Sequence, residues 1–150
     1  MKSQIWIGLP LLLAFLISGC ANKSLAASPA PTAELLAVAD QASLTAALEA
    51  GGATVETGES VLQPFFTPEG SILKVNGADV QVFEYESPEE MENEASQVSP
   101  DGGSIGTSMV TWMDAPHFYK AGHIIVLYVG SDATMLDLLE GALGAQFAGR

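Results

Sequence analysis

The chain has 150 residues, 48% of them hydrophobic, and 18 acids against five Lys or Arg give it a formal net charge of −13, which fits one domain plus a leader. Five scattered basic residues make neither the clustered phosphate-contacting surface that nucleic acid demands nor a polybasic grip on anionic lipid. The single cysteine, Cys20, excludes an intramolecular disulfide and a cysteine-paired zinc site.

Residues 1–19 have the three parts of a secretory signal. Lys2 is a short positive start, Ile5 to Ile17 is an apolar run broken by Gly8 and Pro10, and the small residues Ser18 and Gly19 follow. The run is too short to span a hydrocarbon core of ~30 Å comfortably. Leu16-Ile17-Ser18-Gly19-Cys20 resembles the bacterial lipobox, in which an aliphatic residue, a small residue and Gly or Ala precede the cysteine. The resemblance implies cleavage before Cys20, thioether lipid on its sulfur and acylation, with palmitate as a typical chain, of the new amino terminus. It places the protein on the outer side of the cell membrane. Ala21, in place of the Asp that retains such proteins at an inner membrane, is compatible with transfer to an outer membrane. The competing readings are an ordinary secretory signal with a chance cysteine and an uncleaved anchor. Each buried methylene contributes about 0.8 kcal/mol, so two or three acyl chains would hold the protein permanently. Losing Lys2 and no acid takes the net charge from −13 to −14.

Residues 20–33 read as the lipid-bearing cysteine and a flexible tether. ANKSLAASPAPTA is too small and polar to offset the entropy of ordering it. The triplet Asn22-Lys23-Ser24 is read as chance.

Residues 34–150 read as one folded domain. Leu44, Ala47 and Leu48 have helical spacing, Gly51-Gly52 supplies a stop, and residues 34–40 either extend that helix or belong to the tether. Strands are expected at Ala53–Glu56, from Val61 toward Pro64-Phe65-Phe66, at Ser71–Val75 and at Asp79–Glu86. Asn76-Gly77 between the last two is a hairpin signal, because both residues tolerate φ > 0. Ser87-Pro88-Glu89-Glu90 predicts an N-cap, a first-turn proline and a capping box, with Met91, Ala95 and Val98 as the apolar stripe and Glu89, Glu92 and Glu94 facing water. Ser99 to Gly103 is a loop and Thr107–Trp112 a strand, broken at Asp114-Ala115-Pro116. His117–Lys120 and His123–Val129 form a second hairpin around Ala121-Gly122. Its run Ile124–Leu127 suits a central strand covered on both faces. Ser131 or Asp132 caps a last helix striped by Leu136, Leu139 and Leu143 and closed by Gly144.

The order helix, strands, helix, strands, helix predicts an α+β class: a single two-layer domain with a mostly antiparallel sheet and about three helices on one face. The 131 residues left after cleavage are enough for a core without disulfides.

Chemistry-bearing residues are sparse. Asp114, His117 and His123 would suit a metal-dependent or hydrolytic envelope enzyme if the hairpin brought them together, but a zinc site wants three or four ligands at defined geometry. Two ordinary strand-end histidines are the simpler account. Ser104, Thr107 and Ser108 lie among glycines without a nucleophile elbow, and no Lys or Arg follows to make a phosphate cradle. The acids from Glu84 to Glu94 lack calcium-loop spacing and read as a solvated face. Trp112, Asp114, His117 and Tyr119 are the first candidates for a binding face; the aromatics there and in Pro64–Pro68 suit a core equally well.

The domain also resembles a type of small bacterial lipoprotein, through Val75-Asn76-Gly77 to Val82-Phe83-Glu84-Tyr85, Val98 to Gly102, His117-Phe118-Tyr119 and Val126 to Gly130. That resemblance implies a class and no mechanism. The expectation is a membrane-anchored extracytoplasmic lipoprotein acting as a binding or interaction domain. Its membrane contact is lipid on Cys20, its partner an envelope protein or small ligand, and no cofactor, metal or nucleic acid is implied. Alternatives are the envelope enzyme of Asp114, His117 and His123 and a purely structural envelope component.

Overall fold

The computed structural model describes residues 37–150. The leader, the lipobox with Cys20, the tether and the beginning of the helix expected from residue 34 lie outside the described residues. α1 (Gln41–Ala50) starts at Asp40, whose carboxylate accepts from the Ser43 N–H while the Ser43 hydroxyl answers the Asp40 N–H. The Ala-rich sequence on both sides conceals this start, because alanine favours helix wherever it stands.

β1 (Val55–Val61), β2 (Gly70–Val75) and β3 (Ala78–Glu84) then form an antiparallel meander. β1 takes only the end of the first short segment expected there and the first residue of the second, and the chain from Leu62 to Phe66 is not strand; its pairing has a register irregularity between Thr57 and Ser60. Asn76 and Gly77 turn β2 into β3 at φ 52° and 86°, as a two-residue hairpin of the primed kind requires. α2 (Pro88–Ala95) begins at Ser87, whose hydroxyl accepts from the Glu90 N–H.

The strand expected over Thr107–Trp112 is absent among the described residues. In its place β4 (Ser104–Ile105) and β5 (Ser108–Met109) make a two-residue-per-strand arm. Gly106 at φ 57° reverses the chain one residue before the expected strand begins. β6 (Pro116–Ala121) and β7 (Ile124–Val129) pair with Ala121 opposite Ile124, which moves the turn one residue on, to Gly122-His123. α3 (Ala133–Leu143) starts at Asp132 and ends at Gly144, and β8 (Ala148–Gly149) adds a short strand absent from the sequence expectation. Two residues are too few to produce an alternation that could be read beforehand.

The sheet order is β1-β2-β3-β7-β6-β8, antiparallel at every pairing. The α+β class, the antiparallel sheet and the three helices match the sequence expectation. α1 and α3 form the anticipated helix layer over Leu73, Val75, Val80, Val82, Val126 and Tyr128. α2 departs from it and lies on the opposite face, where Met91 and Ala95 pack with Phe66, Phe83, Phe118, Ile125 and Leu127. β7 is accordingly buried on both sides over Ile124–Tyr128, as its unbroken apolar run predicts. Among the described residues, no helix is long and apolar enough to cross a membrane.

Candidate functional site

β6 decides where the proposed binding residues go. Successive strand residues face opposite sides, so Tyr119 joins the α1/α3 core while Phe118 joins the α2 side. Trp112 packs with Phe118, at 5.8 Å between ring centroids, and therefore lies on the α2 side. His117 stacks on Tyr128, on the other side, at 6.2 Å and 23°. The sheet thus separates Trp112 from His117 and Tyr119. Asp114 stands in the loop before β6, exposed, accepting from the Ser131 hydroxyl at 2.6 Å and the Ala115 N–H at 2.7 Å. The Ser131 bond, followed by that N–H, holds its carboxyl below the ordinary range.

His117 is buried and occupied. Its Nε2 donates to the Gly130 carbonyl at 3.1 Å, and its Nδ1 meets the Gln146 side chain at 2.6 Å. Those contacts tie the C-terminal segment to the start of β6, a structural task. His123 sits in the turn at the far end of β6, 3.3 Å from Glu84. The strand from His117 to Ala121 alone spans about 13 Å, so Asp114, His117 and His123 do not meet. No group of three or more His, Cys, Asp or Glu among the described residues is placed to hold a metal ion. Tyr119 is buried; that burial, and then the charge of Glu140, pushes its phenol up and keeps it protonated.

The two aromatic clusters seen separately in the sequence become one. Phe147, Phe118, Trp112, Phe65, Phe66 and Phe83 form a chain of ring contacts with centroids 4.7–6.2 Å apart. Edge-to-face pairs of this kind add about 0.5–1.5 kcal/mol each beyond their buried area. Trp112 is oriented by its indole N–H, which donates to the Gly102 carbonyl at 2.7 Å. Gly102 is required there twice over: φ is 68°, and a Cβ would stand 2.9 Å from the Phe118 ring.

A cleft of about 630 Å³ opens beside this chain, between the Thr67-Pro68 turn, the end of β3 and α2. Its lining includes Glu84, Glu86, Glu90 and Glu94, with the side chains of Asn93 and Gln97, and no basic residue. Its floor is fixed. The Tyr85 hydroxyl donates to Glu94 at 2.8 Å, and Glu94 also accepts from the Thr67 N–H and hydroxyl. Burial first, then Glu94, pushes the Tyr85 phenol far above its ordinary value, so it stays protonated and donates to Glu94. Glu94 is therefore half-buried and engaged, where the sequence reading had it facing water. Glu84 is likewise engaged, by the Gln41 N–H and His123. No hydrogen bond or ion pair to another described residue engages the carboxylates of Glu86 and Glu90. The Glu84–Glu94 run was visible in the sequence as the densest charge; that it wraps a cleft depends on the 64–68 turn, 20 or so residues away.

Comparison with known proteins finds no matching family model, no similar curated protein and no similar solved structure.

Proposed function

We propose that this protein is a lipid-anchored extracytoplasmic binding domain that accepts an ammonium-bearing ligand in the acidic cleft beside α2. The lipobox-like segment ending at Cys20 supports the anchor, and the cleft supports the binding. The observation that carries the reading is the pair of uncommitted carboxylates, Glu86 and Glu90, above a floor locked by Tyr85 and Glu94, with no cation in the lining. A pocket with a few placed polar groups on a rigid floor is the usual form of a small-ligand site. Charge selects a cation, and the lack of three converging carboxylates favours an amine over a divalent metal ion. A small polyamine and a lysine side chain of an envelope protein present the same group.

Titration calorimetry of the full chain with spermidine tests it. Binding is expected to weaken with added salt, because part of the attraction is screened. The Glu86→Gln/Glu90→Gln double variant should abolish it. Binding that is absent, or unchanged in that variant, overturns the cleft assignment. Mass spectrometry finding a bare thiol at Cys20 overturns the anchor.

A further inference from the structure

The three exposed large hydrophobic side chains among the described residues, Leu62, Met109 and Met113 (76%, 92% and 101% exposed), lie on the two segments that meet at the Phe65–Trp112 contact in the middle of the aromatic chain. Leu62 lies three residues before Phe65, Met113 follows Trp112, and the two rings meet at 6.0 Å. Single exposed apolar residues need no explanation, but three on two uncharged segments joined by a ring contact invite one. The two stretches that carry this one, residues 61–68 and 102–113, contain no charged residue in a chain of 18 acids. We infer that this uncharged patch rests on a lipid bilayer of zwitterionic headgroups, an inference that depends on the anchor at Cys20.

The chain outside the described residues supports the choice of occupant. Sixteen residues, 21–36, separate Cys20 from Ala37. Fully extended they reach about 55 Å, and a flexible chain of that length averages about 22 Å end to end. Such a tether holds the domain at an effective concentration near mM beside the membrane, so a contact too weak to recruit a free protein becomes populated. Trp favours the headgroup level, where its ring is apolar and its N–H polar. Charge then selects the face. Acidic surfaces avoid anionic lipid, and two copies meeting at the patch would each bring a net charge near −14, whereas a neutral bilayer opposes neither.

The experiment uses the lipid-bearing full chain in phosphatidylcholine vesicles with brominated acyl chains. Trp6 leaves with the leader, so Trp112 is the sole indole. Quenching of its emission relative to non-brominated vesicles is expected. Loss of that quenching is expected in Met109→Glu/Met113→Glu and in Leu62→Glu, each with an unchanged melting temperature. Phosphatidylglycerol should reduce quenching at low salt. Flotation with the vesicles but no quenching overturns the docking and leaves the anchor standing. Failure to float overturns both. Emission that shifts with protein concentration in the absence of vesicles assigns the patch to a second copy, and emission that shifts only with an added envelope protein assigns it to that partner; either overturns the inference.

Discussion

The two faces of the central sheet are built from different materials. The α1/α3 face is closed mainly by aliphatic side chains, Leu44, Leu48, Val75, Val80, Ile124 and Leu139 being fully buried, with Tyr119 and Tyr128 among them. The α2 face is closed by aromatic rings, and its rim stays open in the acidic cleft on one side and the uncharged patch on another. Packing between the sheet and two helices buries that face, and its polar groups, His117 and Tyr119, are enclosed with it. A face covered by one eight-residue helix, a turn and a six-residue arm cannot close completely, and both candidate surfaces lie in what it leaves uncovered.

The strongest way to break that contrast is Phe118→Ala, which removes the ring between Trp112 and Phe147. A loss of about 4 kcal/mol in urea unfolding is expected, together with a red-shifted Trp112 emission in the native state. Leu48→Ala, on the opposite face, should remove about 3 kcal/mol and leave that emission unchanged. If both variants move it, the faces are not independent. Tyr85→Phe sharpens the comparison at the cleft. Deleting the hydroxyl that anchors Glu94 should destabilise by about 1.5 kcal/mol and weaken amine binding through a looser floor, as a melting curve and calorimetry would report. The smallest effect concerns pH. Asp114 is held below its ordinary value mainly by Ser131, so its contribution is present at neutral pH. It disappears as pH falls below about 4, through the unfolded and then the lower folded value. Asp114→Asn should lower the melting temperature slightly at pH 7 and flatten its decline over that interval, the two proteins converging at low pH.

What the sequence disclosed follows from how local each signal is. Asn76-Gly77, Ser87-Pro88 and Gly144 specify their turns and helix ends with groups a few residues apart, and the structure has each where expected. Ile124–Leu127 announced a strand buried on both faces, yet the same run did not say which helix covers which side. The placement of α2 follows from Met91 and Ala95 meeting Phe66 and Phe83, a contact across distant segments. The site candidates divide the same way. Trp112 packs on Phe118, whose β6 neighbours His117 and Tyr119 point to the other face, so the expected assembly of the three does not form. The acids of the cleft were seen, and only the fold could show that Glu86 and Glu90 stay free while Glu84 and Glu94 are taken.

The irregularity between Thr57 and Ser60 has a consequence for life in two dimensions. β1 is one border of the sheet, and its irregularity between Thr57 and Ser60 takes in the exposed Glu59, with exposed Glu56 just before it; the opposite border, β8, offers two residues. Neither border presents a long flat row of free amides and carbonyls for another strand to join. If the proposed acyl anchor confines these molecules to a thin layer where encounters are frequent, such blunted margins would keep neighbours from zipping into fibrils and leave a fluid of separate domains.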